Sequence, residues 1–255
     1  MSPVLENKVA IITGAGNGIG RAFALRFARE GAKLLLPDIN LEKAEDTAKA
    51  IKTIGGDAEA INVDISDENA TRNMAEKVIQ RYGKVDILIN NAAIWYGIES
   101  RPWDSWIVAE WDRIFSVNVK GTWLCCKAIA PLMIKQSKGK IINVASDIVK
   151  VPGAHRFLAY ACSKGAVYTL THSLARALGP SGINVNAIAP GLTTTEAALT
   201  KSDIDHAFDN TVSAQCIKRR ETSKDLEGTA VFLASEESDF IAGQILIVDG
   251  GNIML

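Results

Sequence analysis

Short apolar runs alternate along the chain with longer segments whose apolar residues recur every three or four positions. KVAIIT (8–13), AKLLLPD (32–38), AEAINVD (58–64) and VDILINN (85–91) have strand length, as do GKIINVAS (139–146), INVNAIAP (183–190) and QILIVDGG (244–251). Between them, GRAFALRFAREG (20–31), NLEKAEDTAKAIKTIGG (40–56) and residues 68–82 read as helices, the first two closed by glycine. Longer helical patterns cover 108–136 and 157–178. Apolar strands separated by helices predict an α/β fold: a doubly wound parallel sheet of about seven strands, helices on both faces, right-handed crossovers. No linker, repeat or low-complexity tract interrupts the pattern, so 1–255 is expected to form one domain. The polar, weakly patterned segment 192–216 stands apart from the rest.

Composition adds limits. The chain has 255 residues, 47% hydrophobic and 22% charged, enough for a large core. The net charge of -1 and the lack of a basic block argue against nucleic acid or an anionic membrane as partner. No apolar run reaches the roughly 18 residues of a spanning helix, and MSPVLENKVAII lacks signal-peptide character, which together predict a cytoplasmic protein. Cys125, Cys126, Cys162 and Cys216 have neither zinc-ligand nor CxxC spacing. No metal site is expected, and the thiols read as reduced.

Chemistry concentrates at strand ends. TGAGNGIGR (13–21) joins the first strand to the first helix, where backbone N–H groups can hold a pyrophosphate at a helix N-terminus. The spacing that holds is Gly14, Gly18, Gly20, with Ile at position 19. Asp38 ends the second strand, 20 residues beyond Gly18. A carboxylate there can accept both hydroxyls of an adenosine ribose and repel a 2′-phosphate, and positions 15–17 carry no Lys or Arg. NAD is therefore favoured over NADP; alternatively Asp38 starts a turn or caps the second helix. Asp64 either accepts from the adenine amino group or caps the next helix. Tyr160 and Lys164 lie four residues apart, on one face of a predicted helix. A phenol is a poor base near neutral pH, and an adjacent ammonium lowers that barrier.

Seven motifs in order give the chain its resemblance to the short-chain dehydrogenase/reductase family. They are TGAGNGIG, NNAA (90–93), NVKG (118–121), INVAS (142–146), YACSK (160–164), NAIAPG (186–191) and VDGG (248–251). The resemblance implies a Rossmann-like fold and a catalytic set of Asn118, Ser146, Tyr160 and Lys164. Ser146 would orient the reacting oxygen, Lys164 would also bond the nicotinamide ribose, and Asn118 would hold a water near Lys164. It further implies cofactor contacts from Asn17, Ile19, Ile65, Asn91 and Ala92 beside the glycines and aspartates. After the sixth strand, Pro190, Gly191, Thr193 and Thr195 would hold the nicotinamide carboxamide. Residues 192–216 would form a lid over substrate, and the long helices would build a homotetramer. Three departures from the family pattern stand out: Ala93 in place of Gly, Ala145 in place of Ser, and one extra residue between Ser146 and Tyr160.

The substrate is less legible. Four of the five tryptophans fall between 95 and 111. Trp95 and Tyr96 are candidates for a pocket wall suited to an aromatic ring or a sugar face, with Trp103 a weaker one; Trp106 and Trp111 read as packing. His155 and Arg156 lie in the loop before Tyr160, which the resemblance puts on the substrate side; Arg156 either meets an anionic group of the substrate or is simply solvated. The reading is an NAD-dependent oxidoreductase acting on a secondary alcohol or ketone, oxidising a polar cyclic substrate such as a sugar or an aromatic alcohol. A 3-oxoacyl thioester reductase and a non-catalytic NAD-binding regulator remain open beside it.

Overall fold

The computed structural model describes residues 3–200 and 203–254; Met1, Ser2, Leu255 and, within the 192–216 segment, Lys201 and Ser202 lie outside the described residues. In chain order the elements are β1 (Val9–Ile12), α1 (Gly18–Arg29), β2 (Lys33–Asp38), α2 (Leu41–Thr53), β3 (Ala58–Asn62), α3 (Glu68–Tyr82) and β4 (Ile87–Asn90). They continue with α4 (Val108–Phe115), α5 (Thr122–Gln136), β5 (Gly139–Val144), α6 (Leu158–Leu178) and β6 (Ile183–Pro190). The chain closes with β7 (Thr193–Thr194), α7 (Ile204–Ala214), β8 (Glu221–Thr222), α8 (Ser223–Ala234) and β9 (Ile245–Val248).

Among the described residues, seven strands form one parallel sheet in the order β3-β2-β1-β4-β5-β6-β9. Each central strand is apolar throughout because both of its faces are covered. In β1, Val9 and Ile11 pack with α3, α5 and α6, through Met74, Cys126, Ile129 and Ala175. Ala10 and Ile12 point the other way, into Phe23, Phe27, Ile51 and Val231 of α1, α2 and α8. This period-two division, repeated in β2 by Leu35 against Leu34 and Leu36, separates the two helical layers. The strand order reverses direction between β1 and β4, so the loops leaving those strands diverge and open a crevice at the carboxyl edge of the sheet.

The element prediction is met closely at α3 and β6 and corrected in two places. The helical pattern over 108–136 is two α-helices joined by a π-helical segment, Ser116–Gly121, with Asn118 at its centre. Helix α8 had no counterpart among the predicted elements; its signal is the capping box in which Thr222 and Asp225 satisfy each other's backbone N–H. The 192–216 segment contains one further helix, α7. No helix among the described residues is long and apolar enough to cross a membrane.

The β1–α1 turn is packed to its limit. A Cβ on Gly20 would overlap the carbonyl of Gly14 and crowd the Asn91 amide. Backbone cannot yield as a side-chain tip can, so Gly20→Ala should cost about 1–3 kcal/mol of unfolding free energy, the usual range for overpacking. Chemical denaturation of the two proteins checks this; equal stability would show that the turn relaxes freely.

Candidate active site

The end of β1 is tied to the end of β4 by one hydroxyl. Thr13, fully buried, donates to the carbonyl of Ile89 and accepts from the backbone N–H groups of Asn91 and Ala92, each at 3.0 Å. The Asn91 amide returns to the carbonyls of Thr13 (3.0 Å) and Gly14 (3.1 Å). Two predicted cofactor residues, Asn91 and Ala92, thus fix the glycine turn from behind. Thr13 carries the junction although the residue pattern singled out only its glycine neighbours. The Asn17 side chain does not cap α1 although Asn17 stands at its N-cap. Gly18 has φ +51°, a left-handed conformation that favours glycine. Ile19 packs against the core.

This cradle suits a dinucleotide phosphate. Helix α1 has no acidic residue in its first turn and no side-chain cap. Its Gly18 N–H instead reaches the Glu196 carboxylate at 3.1 Å, a carboxylate standing where an anion is favoured. A cavity of about 250 Å³ adjoins it, lined by Gly16, Asn17, Arg21, Lys43, Asp46 and Glu196. Asp38 borders the same turn: Oδ2 accepts from Gly16 N at 2.8 Å and Oδ1 from Asn40 N at 2.9 Å. Asp38 does not cap α2, because Asn40 does, accepting from Lys43 N. Asp64 likewise leaves the capping of α3 to Asp67 and accepts from the backbone and hydroxyl of Ser66. Ile65 is buried against Gly121 at the π-helical segment.

Across the crevice, Tyr160 and Lys164 lie one turn apart on the buried face of α6. Lys164 Nζ sits 5.7 Å from the centre of the Tyr160 ring and donates to the carbonyl of Val144, at the end of β5, at 2.7 Å. Burial lowers the Lys164 ammonium to about 8. Burial pushes the Tyr160 phenol above its ordinary range; a hydrogen bond with Ser146 pulls it back, and the Asp147 carboxylate pushes it further up. Ser146 follows β5, its hydroxyl accepting from Ile148 N at 3.2 Å and its carbonyl accepting from Tyr168. Phenol, ammonium and hydroxyl therefore converge as a set able to move a proton. Asn118 is fully buried and does not reach the ammonium among its hydrogen bonds: its amide binds the backbone of Ile94 and the hydroxyl of Ser163, which in turn donates to the carbonyl of Tyr160. Its carbonyl accepts from Thr122.

At the end of β6, Pro190 pairs with Val248, and Gly191 turns the chain. Thr193 is buried and donates to Glu221, whereas the Thr195 hydroxyl accepts from Ala198 N. The Thr195 side chain also lies against Gly18, so the start of the 192–216 segment touches the glycine turn.

The predicted aromatic wall divides. Trp95 packs on Tyr160 with ring centres 4.6 Å apart and on Phe157 at 5.4 Å. Tyr96 and Trp103 are 67% and 72% exposed and are not among the rings stacked on Trp95 and Tyr160. Trp106 and Trp111 pack into the same cluster, Trp106 beneath the Arg101 guanidinium and Trp111 stacked on Phe115. His155 and Arg156 are exposed on the 3₁₀ turn Pro152–Phe157; the Arg156 carbonyl accepts from Arg101 N.

Comparison with known proteins agrees with this geometry. A family model described as enoyl-(acyl carrier protein) reductase matches residues 14–252. Galactitol 2-dehydrogenase of Agrobacterium fabrum is 39% identical over 263 residues, covering 98% of this chain and 99% of the relative. A 3-oxoacyl-(acyl-carrier-protein) reductase of Thermotoga maritima is 34% identical over 254 residues, with 98% and 99% covered. Among solved structures, NAD+-bound xylitol dehydrogenase superposes with a TM-score of 0.90 at 30% identity, covering 97% of this chain and 99% of that one. With a glycine turn at β1, a Ser–Tyr–Lys constellation between β5 and α6, and near-complete alignment to these oxidoreductases, the chain belongs to the short-chain dehydrogenase/reductase family.

Proposed function

We propose that the protein transfers a hydride between NAD(H) and a secondary alcohol or its ketone, working on a small polyhydroxylated or cyclic substrate. The observation that carries this reading is the buried Tyr160–Lys164 pair with the Ser146 hydroxyl beside it. The polyol preference draws on relatives named galactitol and sorbitol dehydrogenase, each 39% identical, and on the Trp95 ring beside the proposed base, which suits the apolar face of a sugar. Gly14, Asn17, Gly18, Ile19, Gly20, Asp38, Asp64, Ile65, Asn91 and Ala92 would hold the adenosine and phosphates. Pro190, Gly191, Thr193 and Thr195 would hold the carboxamide end. When bound, the nicotinamide ring supplies the hydride acceptor or donor and, when oxidised, a positive charge.

In oxidation, Tyr160 takes the proton of the substrate hydroxyl. The Ser146 hydroxyl donates to the same oxygen and holds it as a carbonyl forms. Lys164 favours the phenolate by its charge and fixes its own position through Val144. Asn118 acts as a brace: through Ser163 and the carbonyl of Tyr160, it sets the start of α6 against the strand β4 exit. The 192–216 segment closes over the bound substrate, excluding water. The chain acts as a single domain within a homotetramer.

Two measurements check the reading. Tyr160→Phe should lower kcat by about 10²–10⁴-fold, the range for general base catalysis, while the Kd for NAD+ changes little by calorimetry. Retained turnover would remove the proton-transfer role. Wild type should show a kcat/KM for NAD+ at least about tenfold above that for NADP+, because Asp38 places a negative charge where a 2′-phosphate would lie. Asp38→Ala should bring the two close to parity. A wild-type preference for NADP+ would overturn the cofactor assignment, and turnover of 3-oxoacyl thioesters in place of polyols would overturn the substrate class.

A further inference from the structure

The turn after β6 is gripped from the side by a buried carboxylate. Glu221, 7% exposed, accepts from Thr193 Oγ1 at 2.8 Å and from Gly191 N at 3.2 Å. The two-residue strands β7 and β8 pair in parallel, Thr193 beside Glu221 and Thr194 beside Thr222. Gly191 is closed in on both sides: a Cβ there would lie 2.8 Å from Glu221 Oε2 and 2.9 Å from the Cβ of Asp249. Asp249 in turn holds the chain after β9, accepting from the N–H groups of Gly251, Asn252 and Ile253. The 190–195 turn is thus clasped between two acidic side chains.

Keeping Glu221 buried is costly. Burial pushes its carboxyl up to about 7; the bonds from Thr193 and Gly191 pull it back, and the carboxylates of Asp147 and Asp225 push it further up. No cation among the described residues forms an ion pair with it; the nearby Arg219 is committed to Asp225 at 2.6 Å. The start of α8 does not need Glu221, because Thr222 and Asp225 form the capping box there. Gly191 N is shared with the carbonyl of Val248 at 3.1 Å, and the Thr193 hydroxyl also reaches the carbonyl of Gly191 at 3.2 Å; what Glu221 adds is one side chain that ties the Gly191 backbone and the Thr193 hydroxyl to each other.

We propose that Glu221 is a positioning residue that fixes the Pro190–Thr195 turn for the nicotinamide half of the cofactor, leaving the adenosine half to the opposite side of the crevice. The inference rests on the cofactor reading above. The two halves of the ligand then rest on different strand ends: Asp38 and the glycine turn lie at β1 and β2, whereas Glu221 acts at β6, the two sides meeting where Thr195 and Glu196 touch Gly18.

Calorimetric titration of wild type, Glu221→Ala and Glu221→Gln with NAD+ and with ADP-ribose, which lacks the nicotinamide, tests it. Glu221→Ala should weaken NAD+ about tenfold, the loss of one or two hydrogen bonds, and leave ADP-ribose within about twofold. Glu221→Gln, which keeps one acceptor oxygen and nearly the same volume, should retain the fold and fall between. The kcat of both variants should drop while KM for the alcohol changes less. Equal weakening of NAD+ and ADP-ribose, or no weakening of either, overturns the role of Glu221. Failure of wild type to bind NAD+ would instead overturn the cofactor reading on which it rests.

Discussion

The ammonium of Lys164, buried under α6 and bonded to the carbonyl of Val144, is the constraint around which this site is arranged. A buried ammonium held by a single carbonyl is expensive. Lowering its pKa from 10.5 to about 8 corresponds to a cost on the order of 3 kcal/mol at neutral pH. The sign follows from proton binding: the unfolded chain keeps this proton up to higher pH, so the cost is present in full below pH 8 and fades as pH rises toward 10.5. The fold bears that cost at the carboxyl end of β5, where Val144 is the last strand residue. Everything that makes β5 rigid, from its pairing with β4 and β6 to the apolar layers on both faces, holds the ammonium in place beneath Tyr160.

The same parallel sheet organises the rest of the crevice. Strands β1 and β4 diverge at their ends, and Thr13 with Asn91 keeps the divergence from opening further. One wall of the crevice is then made of uncapped helix N-terminus and carboxylate, and the other of the phenol, the ammonium and the turn after β6. Glu196 contacts Gly18 from the 192–216 segment, so that segment bridges the two walls. Bonds between backbone and buried side chains recur after β4, β5 and β6: Asn118 with Ile94, Ser146 with Ile148, Glu221 with Gly191. They convert loops into fixed geometry, which is what hydride and proton transfer demand.

Legibility in the sequence follows burial and period. The strands were readable because both faces of the sheet are covered, leaving uninterrupted apolar runs such as LLL at 34–36. Helix α3 is readable to both of its ends because Asp67 caps it and Gly83 stops it. Tyr160 and Lys164 were readable as a pair through helical spacing, and the glycine turn through its position after the first strand. Other features depend on contacts far apart in sequence. Helix α8 hides behind a glycine at 228 and an apolar face shared between α1 and the sheet. The π-helical segment at Asn118 arises from bonds to Ile94 and Ser163, which no local pattern encodes. Thr13 and Glu221 look like ordinary turn residues until their partners 76 and 28 residues away are in place. The aromatic cluster shows the limit most plainly: composition drew attention to residues 95–111, and only packing separates Trp95, which covers Tyr160, from Tyr96 and Trp103, which face outward.

The proposed mechanism turns on a phenol whose ionisation burial disfavours and added positive charge beside it would favour. Ultraviolet difference titration of the chain's four tyrosines, with and without saturating NAD+, tests this directly. Without cofactor, the Tyr160 transition should lie above the ordinary phenol range, since burial raises it above the reference value. With NAD+, one tyrosine should ionise well below that value, and Tyr160→Phe should abolish this transition. A titration curve unchanged by NAD+, or a transition that survives in Tyr160→Phe, would contradict the account.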